Sequence, residues 1–280
     1  MSTLVPPLFS GLVDDASALP LGSARVSEAV SAYGKHLTSW YAGLLGPLLV
    51  PSSLLEVDAL AAGLPLGVVN DGPLRTLPAA IARLRGTGAI VRQAEAAVAR
   101  RGEDPQPGLS ELIELAAGQD LPVYAEIPLS WGLLTGLDAV AEARARGVRI
   151  GAKFRVGGLA AELFPTPVEL AAVICACRDR ELPFKLAAGL RHALRHTDPE
   201  TGFTHHGFLN VLVASVAAAD GAEVAEVAEV LAATHPLPLV EPARAIRDQP
   251  RSLWVGFGVT GVVEPLTELI RLGLINGGYE

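Results

Sequence analysis

Lysine is scarce in this chain: Lys35, Lys153 and Lys185 are the only three. Two of them sit inside apolar, strand-like stretches, Arg149-Ile-Gly-Ala-Lys-Phe-Arg-Val-Gly-Gly158 and Pro183-Phe-Lys-Leu-Ala-Ala-Gly-Leu-Arg191, each broken by glycine. Burying an ammonium group is costly unless it is paired or deprotonated, so this placement points to chemistry. A second cation nearby and apolar walls lower an amine's pKa and leave part of it neutral. A neutral amine attacks a carbonyl carbon to form a Schiff base. Glu126 would then move protons, and Arg155 would hold a carboxylate or phosphate through its forked N–H groups.

Histidine supplies a second group of candidates. Four of the six, His192, His196, His205 and His206, surround a polar loop that also carries Asp198 and Glu200. The expected role of this loop is a lid. His206 should lie near a helix N-terminus, where the dipole disfavours imidazolium and leaves a neutral acid/base. Asn210, one turn later, would orient it. Imidazoles and carboxylates also suit zinc, iron or manganese. No His-Glu-x-x-His or paired-cysteine pattern supports that alternative, and no metal is assigned. Cys175 and Cys177, two apart on a helical stretch, face different directions and read as buried apolar groups.

Lesser substrate contacts are Asp71 and Glu95 at the ends of two strands, together with Arg191 and His192. Gly256-Phe-Gly258 suits an anion held by glycine amides.

Eight strand-like runs alternate with helical patterns, over 47–51, 64–71, 88–95, 121–128, 148–156, 183–188, 237–241 and 252–258. Helices are expected over 54–62, 76–85, 109–117, 133–146 and 264–272, and over two segments between 205 and 230. Another starts at Thr166-Pro167, where Glu169 closes a capping box. The fold class that results is α/β, a single-domain (β/α)8 barrel over 47–280. Residues 1–46 are expected to form an N-terminal extension, irregular to 22 and helical over 23–45. Strand alternation turns Tyr124 and Glu126, then Gly151, Lys153 and Arg155, then Lys185 and Ala187, toward the barrel interior. A doubly wound sheet is the other arrangement, but no Gly-rich dinucleotide turn follows any strand.

The segment Ala152-Lys-Phe-Arg-Val-Gly-Gly158, followed by Phe184-Lys-Leu-Ala-Ala-Gly-Leu-Arg191, resembles the double-lysine signature of deoxyribose-phosphate aldolase-type class I aldolases. The likeness spans about 40 residues, with 32 separating the lysines. It implies a barrel in which Lys153 is the Schiff-base nucleophile, Lys185 tunes it, and the Ala188–Arg191 segment is a phosphate turn. Phe154 and Arg155 stand where the family has small hydroxyl residues, and Ala188-Gly189 where it has two glycines. Glu126 takes the place of the acidic proton relay by position. Counted from residue 47, the lysines fall on the fifth and sixth strands, one earlier than in the family.

The balance of 22 basic to 30 acidic residues, net −8, argues against a nucleic-acid surface. No uninterrupted apolar run long enough to span a bilayer occurs. No basic residue precedes Arg25, so no secretory signal is read and a cytoplasmic location is expected. The expected function is a cofactor-independent, aldolase-like lyase acting on a small carbonyl or anionic compound. The alternatives are a non-covalent isomerase or lyase with a Lys/Arg/Glu anion site, and a non-catalytic barrel that binds a sugar phosphate or carboxylate. Assembly into a homo-oligomer stays open.

Overall fold

Apolar runs flanked by glycine and proline close into a ring of parallel strands in the computed structural model, which describes residues 5–20, 22, 24–54 and 62–277. In chain order the elements are β1 (Val13–Asp15), α1 (Val26–Leu37), β2 (Leu45–Pro51), β3 (Pro65–Asn70), α2 (Leu77–Gly86), β4 (Ile90–Ala97) and α3 (Gln106–Ala117). These are followed by β5 (Val123–Glu126), α4 (Leu133–Ala145), β6 (Ile150–Arg155), α5 (Pro167–Arg178), β7 (Phe184–Ala187) and a short hairpin of β8 (His196–Thr197) and β9 (Thr204–His205). Helices α6 (Phe208–Ala219), α7 (Val224–Ala232) and α8 (Leu237–Ala245) precede β10 (Trp254–Val259) and α9 (Val263–Arg271). Strands β1 to β7 and β10 form a closed eight-stranded barrel, in which β1 pairs with both β2 and β10.

The strand pattern explains the layering. On β6, Ile150, Ala152 and Phe154 are buried under the helices while Lys153 points inside. Phe154 meets Phe184 of β7 with ring centroids 6.2 Å apart. Each buried ring contributes about 2 kcal/mol from area alone. Helix α5 begins as its sequence dictates: the Thr166 N–H donates to Glu169 Oε2 at 2.7 Å, the Glu169 N–H donates back to Thr166 Oγ1 at 3.3 Å, and Pro167 opens the first turn.

Three expectations change. Residues 1–46 are not an appendage, because β1 is a barrel strand and α1 packs against β2. The run Leu12-Val13-Asp14-Asp15 reads as loop because it is short and ends in two acids, yet both acids are only 3% exposed. Residues 237–241 belong to helix α8 instead of a strand. Pro238 occupies the first turn, where its missing N–H has no intrahelical partner to lose, and Leu239, Val240 and Ala243 form the buried face. Starting the ring at β1 also renumbers the barrel, so Lys153 and Lys185 lie on its sixth and seventh strands. The helix expected over 54–62 falls on 55–61, outside the described residues. Among the described residues no helix is long and apolar enough to cross a membrane.

Candidate active site

Five barrel strands each contribute to one chain of alternating charges. Lys185 of β7 pairs with Asp14 of β1 and lies 3.0 Å from Glu95 Oε1 of β4. The other Glu95 oxygen is 2.7 Å from Lys153 Nζ on β6, and Lys153 Nζ is 2.8 Å from Glu126 Oε2 on β5. Glu126 Oε1 accepts from Arg155 Nη2 at 3.1 Å and from Arg155 Nε at 3.2 Å. Side-chain exposure is 4% or less at Asp14, Lys185 and Glu95, then rises through 6% at Lys153 and 17% at Glu126 to 41% at Arg155. The chain therefore runs from the barrel interior to its mouth.

Backbone register brings these groups together. Lys153 stands directly beside Glu126 on one neighbour and beside Lys185 on the other. Gln93, two residues before Glu95 and so on the same face of β4, donates to Asp14 Oδ2 at 2.8 Å and to Glu95 Oε1 at 2.9 Å. Glycine makes the space: a Cβ at Gly46 would run into the Asp14 carboxylate, and one at Gly67 would lie 3.0 Å from Gln93 Cγ.

Electrostatics correct one expectation. The nearest charges to each amine are carboxylates, so the second lysine does not set the first one's pKa. Burial disfavours the Lys153 cation, but Glu95 and Glu126 overcome it and raise the amine above its ordinary range. Lys185 is likewise raised, against burial, by Asp14 and Glu95. Glu95 is disfavoured by burial yet pulled down to about 2 by the two ammonium groups. Glu126 is lowered, again against burial, by Lys153 and Arg155. Asp14 goes the other way: full burial, with Glu95 close by, outweighs Lys185 and raises its carboxyl.

A cavity of about 600 Å³ opens at the C-terminal ends of the strands. Glu95, Lys153 and Glu126 line it, whereas Lys185 and Asp14 are absent from its wall. Of the two buried lysines, Lys153 alone faces this space. Arg155, Asp71, Arg191, His192 and Gly258 also line the cavity. Asp71 is clamped by the hydroxyls of Ser52 and Ser53, which pull its carboxyl below the ordinary range despite partial burial. Arg191 Nη2 lies 3.4 Å from Thr260 Oγ1, and His192 Nδ1 lies 2.7 Å from Glu268 Oε1. The rings of His196 and His205 stack at 5.2 Å, with His192 edge-on to His196 at 4.4 Å, and His196, Asp198 and His205 of the β8–β9 segment line the cavity.

His206 and Asn210 are elsewhere. His206 is 1% exposed, its Nε2 lies 2.7 Å from the Pro165 carbonyl, and burial pushes its imidazole down to about 4. Asn210 does not orient it. Its amide donates to the Val230 and Ala233 carbonyls at 2.9 and 2.8 Å, and its oxygen accepts from the Arg195 N–H at 2.9 Å. Both side chains tie loops and helices together, and neither lines the cavity.

Sequence reading missed Asp14 and Gln93. The signal for Gln93 was its i, i+2 relation to Glu95; for Asp14 it was an apolar Leu-Val pair ahead of the acid. Among the described residues, no group of three or more His, Cys, Asp or Glu side chains is arranged to hold a metal ion. Cys175 and Cys177 are buried free thiols, and burial pushes Cys177 up to about 12. Comparison with family models, curated proteins and solved structures finds no match to this chain.

Proposed function

We propose that the protein is a cofactor-independent, class I aldolase-like lyase that acts on a small carbonyl compound through a Schiff base on Lys153. The observation that carries this reading is a single amine at the floor of a substrate-sized cavity with carboxylates at 2.7 and 2.8 Å. Support also comes from the strand positions. Counted from β1, the two lysines occupy the strands that the resembled aldolases use.

Lys153 gives one proton to Glu126, and the freed amine attacks the carbonyl carbon, forming the C–N bond as the π electrons move to oxygen. A proton passes from nitrogen to that oxygen. Glu126 then protonates the hydroxyl, water leaves, and an iminium remains. In sum, ammonium and carbonyl give iminium and water. Breaking the next carbon–carbon bond sends its electron pair into the iminium, with the proton of the substrate's β-hydroxyl going to a carboxylate. Lys185 and Asp14, buried behind Glu95, hold that carboxylate in place.

Borohydride reduction in the presence of acetaldehyde tests this reading. One reduced adduct per chain is expected, and its loss in Lys153→Arg. A second reading follows from the raised Lys153 pKa: the amine stays cationic and binds an anionic substrate without a covalent step. Under that reading, Lys153→Arg keeps substrate binding and no adduct ever forms.

A further inference from the structure

Outside the barrel mouth lies a second cleft, of about 790 Å³, walled by the segments that follow β4, β5 and β6 and by the first turns of α4 and α5. It adjoins the lysine cavity, with the Glu126–Arg155 pair standing between them and lining both. Its volume suits a small molecule, and its surface is unusual for solvent-facing protein. Trp131 is 62% and Leu134 57% exposed there. The Trp131 ring is fixed by a hydrogen bond from Nε1 to the Gly102 carbonyl at 3.0 Å, so an apolar face is held open. Arg100 and Arg101 stand at one side. The N-terminus of α5, a natural anion position, is already occupied by Glu169.

We infer that the ligand is bipartite, with a carbonyl end over Lys153 and an apolar alkyl or aryl arm that crosses the Glu126–Arg155 pair into the outer cleft. This rests on the proposed function for the carbonyl end alone. A short polyol phosphate would leave the Trp131–Leu134 wall in water, whereas an alkyl arm would cover it. Binding then gains from each apolar group removed from solvent.

The test compares acetaldehyde, hexanal and decanal in borohydride trapping, and adds decanoate as a non-reactive probe. Half-maximal labelling of Lys153 should need at least about tenfold less hexanal than acetaldehyde, and Trp131→Ala or Leu134→Ser should erase that advantage. Equal labelling by all three aldehydes overturns the inference while leaving the proposed function standing. If no aldehyde labels Lys153, the proposed function fails and decanoate decides alone. A saturable decanoate-dependent change in Trp fluorescence that disappears in Trp131→Phe puts the alkyl chain at this wall and supports the apolar arm; no change, or one retained in Trp131→Phe, overturns it.

Discussion

Each buried lysine touches two carboxylates, and this fixes how Lys153 can become a nucleophile. With the amine raised above 10.5 and Glu126 lowered below 4.5, the resting pair is ammonium and carboxylate throughout the range between those values. Ammonium plus carboxylate carries the same number of protons as amine plus acid. Internal transfer to Glu126 therefore makes the adduct-forming rate flat across that range. An amine that must lose its proton to bulk water instead reacts about tenfold faster per unit of pH. Stopped-time labelling from pH 6 to pH 9 should give a plateau for the native protein and a rising rate for Glu126→Gln. Residue types and strand alternation made Glu126, Lys153, Arg155 and Lys185 legible from sequence, because the inward face of a strand follows from every second position. The sign of the pKa shifts was not legible, because it depends on Asp14 and Glu95, which arrive from strands β1 and β4.

Individual elements carry strain and pairing that the proposed activity does not need. Ala188, just after β7, has φ +61, a left-handed conformation that an L side chain adopts at a cost. It occupies the place where the resembled aldolases have glycine. Ala188→Gly should stabilise the fold by about 1 kcal/mol, read from urea unfolding. Just before α6, His206 is depressed from 6.5 to about 4, so the unfolded chain binds the proton more readily. Its contribution is complete above pH 6.5 and is lost as pH falls through 4, amounting to about 3 kcal/mol. His206→Gln should flatten the stability curve over that interval, measured by denaturant unfolding at several pH values. The prolines of 236–242 misled the strand reading, since a Leu-Pro-Leu-Val run has no periodicity of its own. Only the packing of Leu239, Val240 and Ala243 reveals a helix.

At the scale of the whole molecule, ring closure depends on the first strand. The fold class was readable because alternating strand and helix patterns leave few other arrangements. Where the ring starts was not readable, because β1 has only three residues and two of them are acids. Both acids are buried, and Asp14 pairs with Lys185 inside the barrel. Removing residues 1–22 should therefore abolish folding: it exposes the edges of β2 and β10 and leaves Lys185 with Glu95 alone. Circular dichroism and gel filtration of the truncated chain check this. A folded monomer would mean that the segment is an appendage after all.

The most direct test of the central claim is a lysine-resolved map of borohydride-reduced adducts. With only Lys35, Lys153 and Lys185 in the chain, peptide mass analysis separates each lysine from the others and from the α-amine. Label is expected on Lys153, with Lys185 shielded beneath the cavity. Label confined to Lys35, or none on Lys153 at saturating aldehyde, would contradict it.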